Sequence, residues 1–529
     1  MPPRYVTKYG YCRNGLNCII LRIKLTFMGQ KRHITWRGIH KWAGLVMAFF
    51  LLFFCVSGLI MNHRDIVSGF EVSRKVLPPD YRIRNYNNGI IKGTVSMPED
   101  SVLLFGNSGV WKSDRGLRNM RDFNAGLPDG VDNRNVRNMV RTHHGVLYCA
   151  TQSGLYRHDG KKWTYVDLPD NEGRVSDVTL MPDSAGVVAL SRSDVYVLDF
   201  RRNAEEFVKM PLKQAAGREK KVTLFKTVWN LHSGRLFGLP GVLFVDCMAV
   251  VIIFLCITGI VIFVLPYSIR RTMAAKVKSK AGSLKWNVKW HSRVGYWTIG
   301  ITLIIAATGM CLRPPLMVPL VLCKTAPVPG TSLDSENPWY DCLRAIRWDS
   351  LHERWLLSTS ESFLSVDRYF AEAPHTFGSA VMPPVSPMGV NVFEQIAPGK
   401  WLIGSFSGMY VWEMNTGKVH DYFTGEAYLK KKPGPPITDN LVAGYSSHLK
   451  DEGFVVFDYY KGTEGLPPMP SVLAEQPMSL WNVAQEVHTG RIYNVIFGPV
   501  SVLYVFLAGL AFLFVLISGF KLVRRRRKR

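Results

Sequence analysis

Thirteen histidines are distributed over the 529-residue chain, and four of them recur in a matched pattern. His40-Lys-Trp-Ala-Gly44 and His291-Ser-Arg-Val-Gly295 each open an apolar run. Leu231-His-Ser-Gly-Arg-Leu-Phe237 and Val487-His-Thr-Gly-Arg-Ile-Tyr493 each stand before one. A neutral imidazole is a strong axial ligand for haem iron, and two of them leave a six-coordinate, low-spin iron suited to electron transfer. Such a centre needs two histidines on facing helices at one depth. His40 and His291 precede their runs by about three residues, and His232 and His488 precede theirs by seven or more. The expected ligand pairs to haem iron are therefore His40 with His291 and His232 with His488, one pair and one haem at each membrane face. His63 lies 23 residues after His40, roughly 34 Å along a helix at ~1.5 Å per residue. It can replace one member of the outer pair or bind substrate. A single interfacial histidine is ordinarily an anchor or a hydrogen-bonding residue; the fourfold pattern is what favours ligation.

Four apolar runs position these residues: about 43–62, 239–265, 294–312 and 495–520. Each is close to the ~20 residues a helix needs to cross a hydrocarbon core of about 30 Å. Asp246 lies inside the second run; an intramembrane acid is a functional candidate unless it reaches water near a helix end. The chain is 47% hydrophobic and 20% charged, which excludes a disordered or fibrous protein. Its net charge of +25 raises the question of nucleic acid, which the distribution answers. Residues 1–41 hold nine Lys/Arg, 266–293 hold eight and 521–529 hold seven, all without an acid. The charge flanks the apolar runs instead of forming a basic face on a folded domain, so no nucleic-acid partner is expected.

Lys and Arg collect in cytoplasmic loops, which orders the chain. A cytoplasmic basic tail (1–41) leads to a first span (42–63) and an extracytoplasmic β region (64–230). A second span with a preceding interfacial turn (231–265), a cytoplasmic basic loop (266–293) and a third span (294–312) follow. A second β region (313–486), a fourth span (487–520) and a basic tail (521–529) complete the chain. The start lacks the apolar stretch and cleavage site of a signal peptide, and translation begins at Met1 or at Met28.

The chain is a tandem duplication. The step from His40 to His291 is 251 residues and that from His232 to His488 is 256. Each span also carries a Ser/Thr-Gly pair: Ser57-Gly58, Thr258-Gly259, Thr308-Gly309 and Ser518-Gly519. A pair of this kind lets a flat macrocycle approach a helix backbone. Parallel repeats of this sort are common in membrane proteins. A shorter repeat marks the outer regions. Phe105-Gly-Asn-Ser-Gly-Val-Trp111 resembles Ala150-Thr-Gln-Ser-Gly-Leu-Tyr156, and similar hairpin patterns recur near 189–199, 357–367 and 403–412. Strand, Gly/Ser turn, strand is the reading. The 45 residues from Gly109 to Gly154 are close to the period of a propeller blade. The expected fold is a four-helix membrane protein with extracytoplasmic all-β, propeller-like regions, joined in one body or held as two antiparallel domains.

Cys55, Cys247, Cys256 and Cys311 lie in apolar segments and read as small hydrophobes. Cys323 and Cys342 can bridge a short loop in an oxidising compartment. Cys12 and Cys18 are a weak metal pattern, and without Cys-x-x-Cys-His no covalent haem is supported. Trp36, Trp42, Trp229, Trp286, Trp290, Trp297 and Trp481 read as aromatic-belt anchors. His143, His144, His158, His352, His375, His420 and His448 read as surface residues of the β regions.

Trp36-Arg-Gly-Ile-His-Lys-Trp-Ala-Gly44 running into Ser57-Gly58 resembles the opening helix of the PepSY-associated transmembrane family. His291 to Gly309 is similar to its third helix and His232-Ser-Gly-Arg to its second. The resemblance implies a bacterial inner membrane, with N and C termini cytoplasmic and large periplasmic regions. It also implies b-type haem and relation to ferric-siderophore reductases. The leading expectation is a two-haem conduit, an oxidoreductase of the ferric-chelate reductase type. Electrons from a quinol or cytoplasmic donor enter near His40 and His291, reach the outer pair, and reduce a ferric chelate or siderophore held under the β regions. The rival is a non-enzymatic membrane sensor or assembly factor whose β domain binds an extracytoplasmic ligand or protein. No acid–base or nucleophilic constellation is present, so no catalytic side chain is assigned.

Overall fold

In apolar surroundings a backbone must satisfy its own hydrogen bonds, so long apolar runs fold as helices. The computed structural model describes residues 35–527 apart from 172, 272–273, 378–381, 430–437 and 450–452. The early tail with Cys12, Cys18 and Met28 lies outside the described residues. Helix α1 is Trp36–Asn62, α2 Leu224–Ser233, α3 Gly238–Arg270, α4 Ala274–Met310, α5 Leu480–His488 and α6 Tyr504–Arg527. Among the described residues three segments are long and apolar enough to cross a membrane: Trp36–Asn62, Arg235–Arg270 and Arg491–Arg525.

The third expected span is the C-terminal half of α4, and it falls short of the other three. Arg293 borders it, and threonines dilute it, their hydroxyls donating to carbonyls one turn back (Thr298 to Val294, 2.9 Å; Thr302 to Thr298, 2.9 Å; Thr308 to Ile304, 2.8 Å). The stretch 266–293, expected as a loop, is helical up to Arg270 and again from Ala274. The interfacial turn before the second span is a full helix, α2, followed by a 3-10 turn at Arg235–Phe237.

The duplication governs these junctions. Thr223 caps α2 by accepting from Lys226 N, and Ser479 caps α5 by accepting from Asn482 N. Each helix then ends at a glycine in the left-handed region, Gly234 at φ 79° and Gly490 at φ 78°. A side chain on Gly234 would meet the Gly241 carbonyl oxygen at 2.2 Å, so the turn from α2 toward α3 is reserved for glycine.

The chain divides into two compact units. One holds the described residues up to Phe49, Leu255–Leu303 and those from Ala511; the other holds Phe50–Phe254 and Ile304–Leu510. All of the sheet structure belongs to the second unit. Among the described residues there are five four-stranded antiparallel sheets and three two-stranded ones, and the five, with the two-stranded sheet of Val442–Ser446 and Val455–Asp458, follow one another along the chain. Their first strands are β1 (Gly93–Ser96), β2 (Val136–Arg141), β3 (Val175–Leu180), β4 (Leu343–Asp349), β5 (Val392–Ala397) and β6 (Val442–Ser446). Each of these strands touches the next, and β6 touches β1, which closes a ring. The two β regions of the sequence therefore join in one body, through β3–β4 on one side and β6–β1 on the other.

A separate buried apolar cluster fills each gap between neighbouring sheets. Leu103, Val136 and Trp163 share the first gap, and Phe457 and Leu473 meet Ile90 and Trp111 in the last. The five hairpins expected from the short repeat all form, the first with Gly106 opposite Gly109. Cys323 and Cys342 are free thiols, against the expected bridge. Cys323 follows the short helix Met317–Leu322 and gives its carbonyl to Leu224 N, while Cys342 adjoins β4 and its Sγ lies 3.1 Å from Arg218 Nη2.

Candidate functional site

Two histidine pairs form, one in each unit. In the first unit the His40 and His291 rings lie 6.2 Å apart, centre to centre, at 67°. In the second unit the His232 and His488 rings lie 6.3 Å apart at 59°. These are the pairs that the duplication matches.

Every one of the four rings is seated the same way. His40 Nδ1 lies 3.1 Å from the Val515 carbonyl and 3.1 Å from Ser518 Oγ. His232 Nδ1 lies 3.1 Å from the Ile305 carbonyl and 3.2 Å from Thr308 Oγ1. His488 Nδ1 lies 3.1 Å from the Phe54 carbonyl and 3.0 Å from Ser57 Oγ. His291 Nδ1 lies 2.9 Å from Thr258 Oγ1. A carbonyl only accepts, so Nδ1 carries the proton and Nε2 is left with its lone pair. The seating hydroxyls are themselves spent as donors on helix carbonyls, as Ser518 is on Val515 (2.8 Å) and Thr258 on Leu255 (3.2 Å), so their oxygens accept from Nδ1. This is how metal-binding histidines are commonly fixed in tautomer and orientation.

The glycine after each hydroxyl makes room for the ring. A Cβ on Gly309 would meet His232 Cε1 at 2.7 Å, on Gly519 His40 Cε1 at 2.8 Å, on Gly58 His488 Cε1 at 3.4 Å and on Gly259 His291 Cε1 at 3.4 Å. The Ser/Thr-Gly pairs were expected to admit a macrocycle to the helix backbone. They cradle the imidazole of a neighbouring helix, a role that short-range patterning did not reveal. The seats follow the duplication: α1 carries His40, seated on α6, and itself seats His488 of α5, the short helix before α6, while α4 carries His291, seated on α3, and itself seats His232 of α2, the short helix before α3.

The donor set fits haem iron. Two metal–nitrogen bonds of about 2 Å, each extended by the roughly 1.2 Å from a ring nitrogen to its ring centre, separate two ring centres by about 6.4 Å. The observed 6.2 and 6.3 Å are close to that separation.

His63 does not join the outer pair. Its Nε2 lies 2.7 Å from Asp246 Oδ2, and Asn62 Nδ2 donates to Asp246 Oδ1 at 2.9 Å. The intramembrane acid is thus satisfied by a histidine and an amide, a partnership that only the fold discloses. His448, expected at the surface, is half-buried with Nδ1 2.9 Å from Thr94 Oγ1. Trp481, expected as a lipid anchor, donates to the Met61 carbonyl at 3.1 Å and stacks under the Arg64 guanidinium at 3.9 Å. That guanidinium makes two 2.7 Å bonds to buried Asp132. Trp42 and Trp297 do stand exposed on their helices.

Apolar helices carrying paired histidines, joined to a large β region, define a membrane protein with ligand-ready imidazoles. The model of the PepSY-associated TM region matches residues 18–265 and 152–526, and the chain belongs to that family. No curated protein matches it. Among solved structures, the extracellular domain of BT4673 from B. thetaiotaomicron is 10% identical, with 70% of this chain and 32% of that chain covered and a TM-score of 0.35. The extracellular domain of BT3049 from B. thetaiotaomicron is 9% identical, with 71% and 39% covered and a TM-score of 0.34. The C-terminal WD40 domain of Sif2 is 6% identical, with 72% and 96% covered and a TM-score of 0.32. The chain thus spans about a third of the length of the first of these. At such scores the likeness fixes neither fold nor function.

Proposed function

We propose that the protein is a transmembrane haem-b electron-transfer protein that reduces a ferric chelate or siderophore on the periplasmic side of a bacterial inner membrane. The observation that carries this reading is the fourfold imidazole seat: two pairs, each about one metal wide, with the Nδ1 proton held and Nε2 available. His40 with His291 and His232 with His488 hold the two groups, and bound haem iron supplies one-electron exchange. The chain's own contribution is to fix each ring by a hydroxyl, and three of them also by a carbonyl, on the neighbouring helix, so that the ligands do not reorganise between oxidation states. In this reading the chain crosses the membrane four times, α4 included, with the basic termini in the cytoplasm and the β ring, a propeller-like body, outside.

The test is a pyridine haemochrome assay on the purified protein, with two haem b per chain expected. His291→Ala removes one of the two reducible signals and His488→Ala the other. A colourless protein, or a His291→Ala variant with both signals intact, overturns the assignment, and a colourless one favours the sensor.

A further inference from the structure

The first strands of the six sheets enclose a cavity of about 500 Å³. That lies within the roughly 300–1,000 Å³ typical of small-molecule sites. Its wall is strongly cationic. Lys92, Arg137, Arg174, Arg192 and Arg344 all line it, against two acids, Asp177 and Glu394. Neither acid is spare. Asp177 accepts from Arg347 Nη1 at 2.6 Å, from Asn138 Nδ2 at 2.9 Å and from Ile346 N at 2.8 Å. Glu394, exposed on its strand, stands in the field of the Arg347 guanidinium. Arg192 has its own partner in Asp341.

Among the described residues the remaining cations make no ion pair, and the acids that act on them, Asp132 on Arg137 and Asp341 on Arg174 and Arg344, do so at longer range. Lys92 Nζ donates only to neutral oxygens, Asn135 Oδ1 at 2.6 Å and the Val136 carbonyl at 3.0 Å. Arg344 likewise donates to the carbonyls of Pro387, Asp341 and Leu343. Arg137 reaches Gln152 Oε1 at 3.4 Å, and its Nε, like that of Arg174, is buried without a hydrogen-bond partner among the described residues. Burial and the neighbouring guanidiniums hold Lys92 well below the ordinary lysine range and push Arg137 down as well. Buried charges are costly unless paired, and guanidinium forks match the oxygens of carboxylates and phosphates two at a time.

We propose that this cavity is a binding site for a small multivalent oxyanion, a polycarboxylate or a phosphate, held chiefly by Lys92, Arg137 and Arg174. The site stands on the cavity's own charge and does not depend on the haem reading.

The experiment is calorimetric titration of the full-length protein in detergent at low ionic strength, with citrate in one arm and pyrophosphate in the other. Saturable binding of one ligand per chain is expected, weakening as sodium chloride is raised, and the tighter arm identifies the oxyanion. Arg137→Gln and Arg174→Gln each weaken that binding at least 10-fold, whereas Arg157→Gln, on an exposed strand position outside the cavity, leaves it unchanged. A melting temperature raised by the anion above that in chloride of equal ionic strength supports the site without any variant. Binding in neither arm, or equal affinity in the Arg174→Gln and wild-type proteins, overturns it. His291→Ala retains the binding, so failure of the haem assignment and failure of this one are told apart.

Discussion

Each imidazole seat is built from a hydroxyl and a missing side chain, joined in three of the four by a carbonyl, and the parts make separable predictions. Removing a hydroxyl, as in Thr258→Val, leaves the ring in place but loosens its orientation; outer-shell losses of this kind cost about 10–100-fold in metal affinity. Haem retention during dilution of the purified variant is the measurement, with loss confined to the His40/His291 pair. The glycines predict a graded response. A methyl group at Gly309 or Gly519 would stand 2.7 or 2.8 Å from a ring carbon, while at Gly58 or Gly259 it would stand at 3.4 Å. Gly309→Ala and Gly519→Ala should therefore lose most of the haem of their own pair, and Gly58→Ala and Gly259→Ala should keep most of theirs. Haem stoichiometry with the helical circular dichroism signal as a folding control reads the difference. Equal behaviour of all four would show that the rings are not held where the seats place them. The four hydroxyl–glycine pairs and the four histidines were all legible in the sequence, because both recur at fixed spacing. Their mutual use was not, since a seat and its ring are separated by up to 478 residues.

At the scale of elements, the short helices α2 and α5 decide where His232 and His488 point. Each begins at a cap, Thr223 or Ser479, and ends at a left-handed glycine. Thr223→Ala removes a cap worth about 1 kcal/mol and frays the helix that presents His232. The expected outcome is a shift in the outer haem's midpoint potential with the inner one unchanged, measured by redox titration of the full chain. Sequence reading took this stretch as a turn, because ten residues before an apolar run show too few turns of helical periodicity to stand out. The third span is the converse case. Its threonines and Arg293 leave it less apolar than the three segments long and apolar enough to cross a membrane, although the duplication makes it an expected member of the set.

For the molecule as a whole, closure of the β ring gathers charge that is scattered along the chain. Arg347 and Asp177, 170 residues apart, meet at 2.6 Å in the wall of the cavity. Arg347→Met leaves Asp177 buried and unpaired, and should destabilise the ring by about 3–5 kcal/mol, read as an earlier denaturant midpoint of the full-length protein. Lys92 gives a pH dependence. In the anion-free protein its folded value lies well below the ordinary 10.5, so above that value the unfolded chain binds a proton that the folded chain has released, one that a bound oxyanion would restore. Stability therefore rises with pH between the folded value and 10.5. Melting temperatures should climb as the pH is raised toward 10.5 in the wild type, and climb less in Lys92→Met; identical slopes would exclude Lys92 as the source.

What the sequence determined by itself is what depends on neighbours along the chain. Apolar runs of sufficient length, basic flanks, hairpin punctuation and the duplicated His and Gly spacings are local patterns, and each is carried by a few tens of consecutive residues. The tertiary structure alone decided which span cradles which histidine, that His63 serves Asp246 instead of the outer pair, that Cys323 and Cys342 stay apart, and that both β regions close one ring around a cationic cavity. Those outcomes depend on the distance between groups remote in sequence, and packing sets that distance only once every helix and sheet is in place.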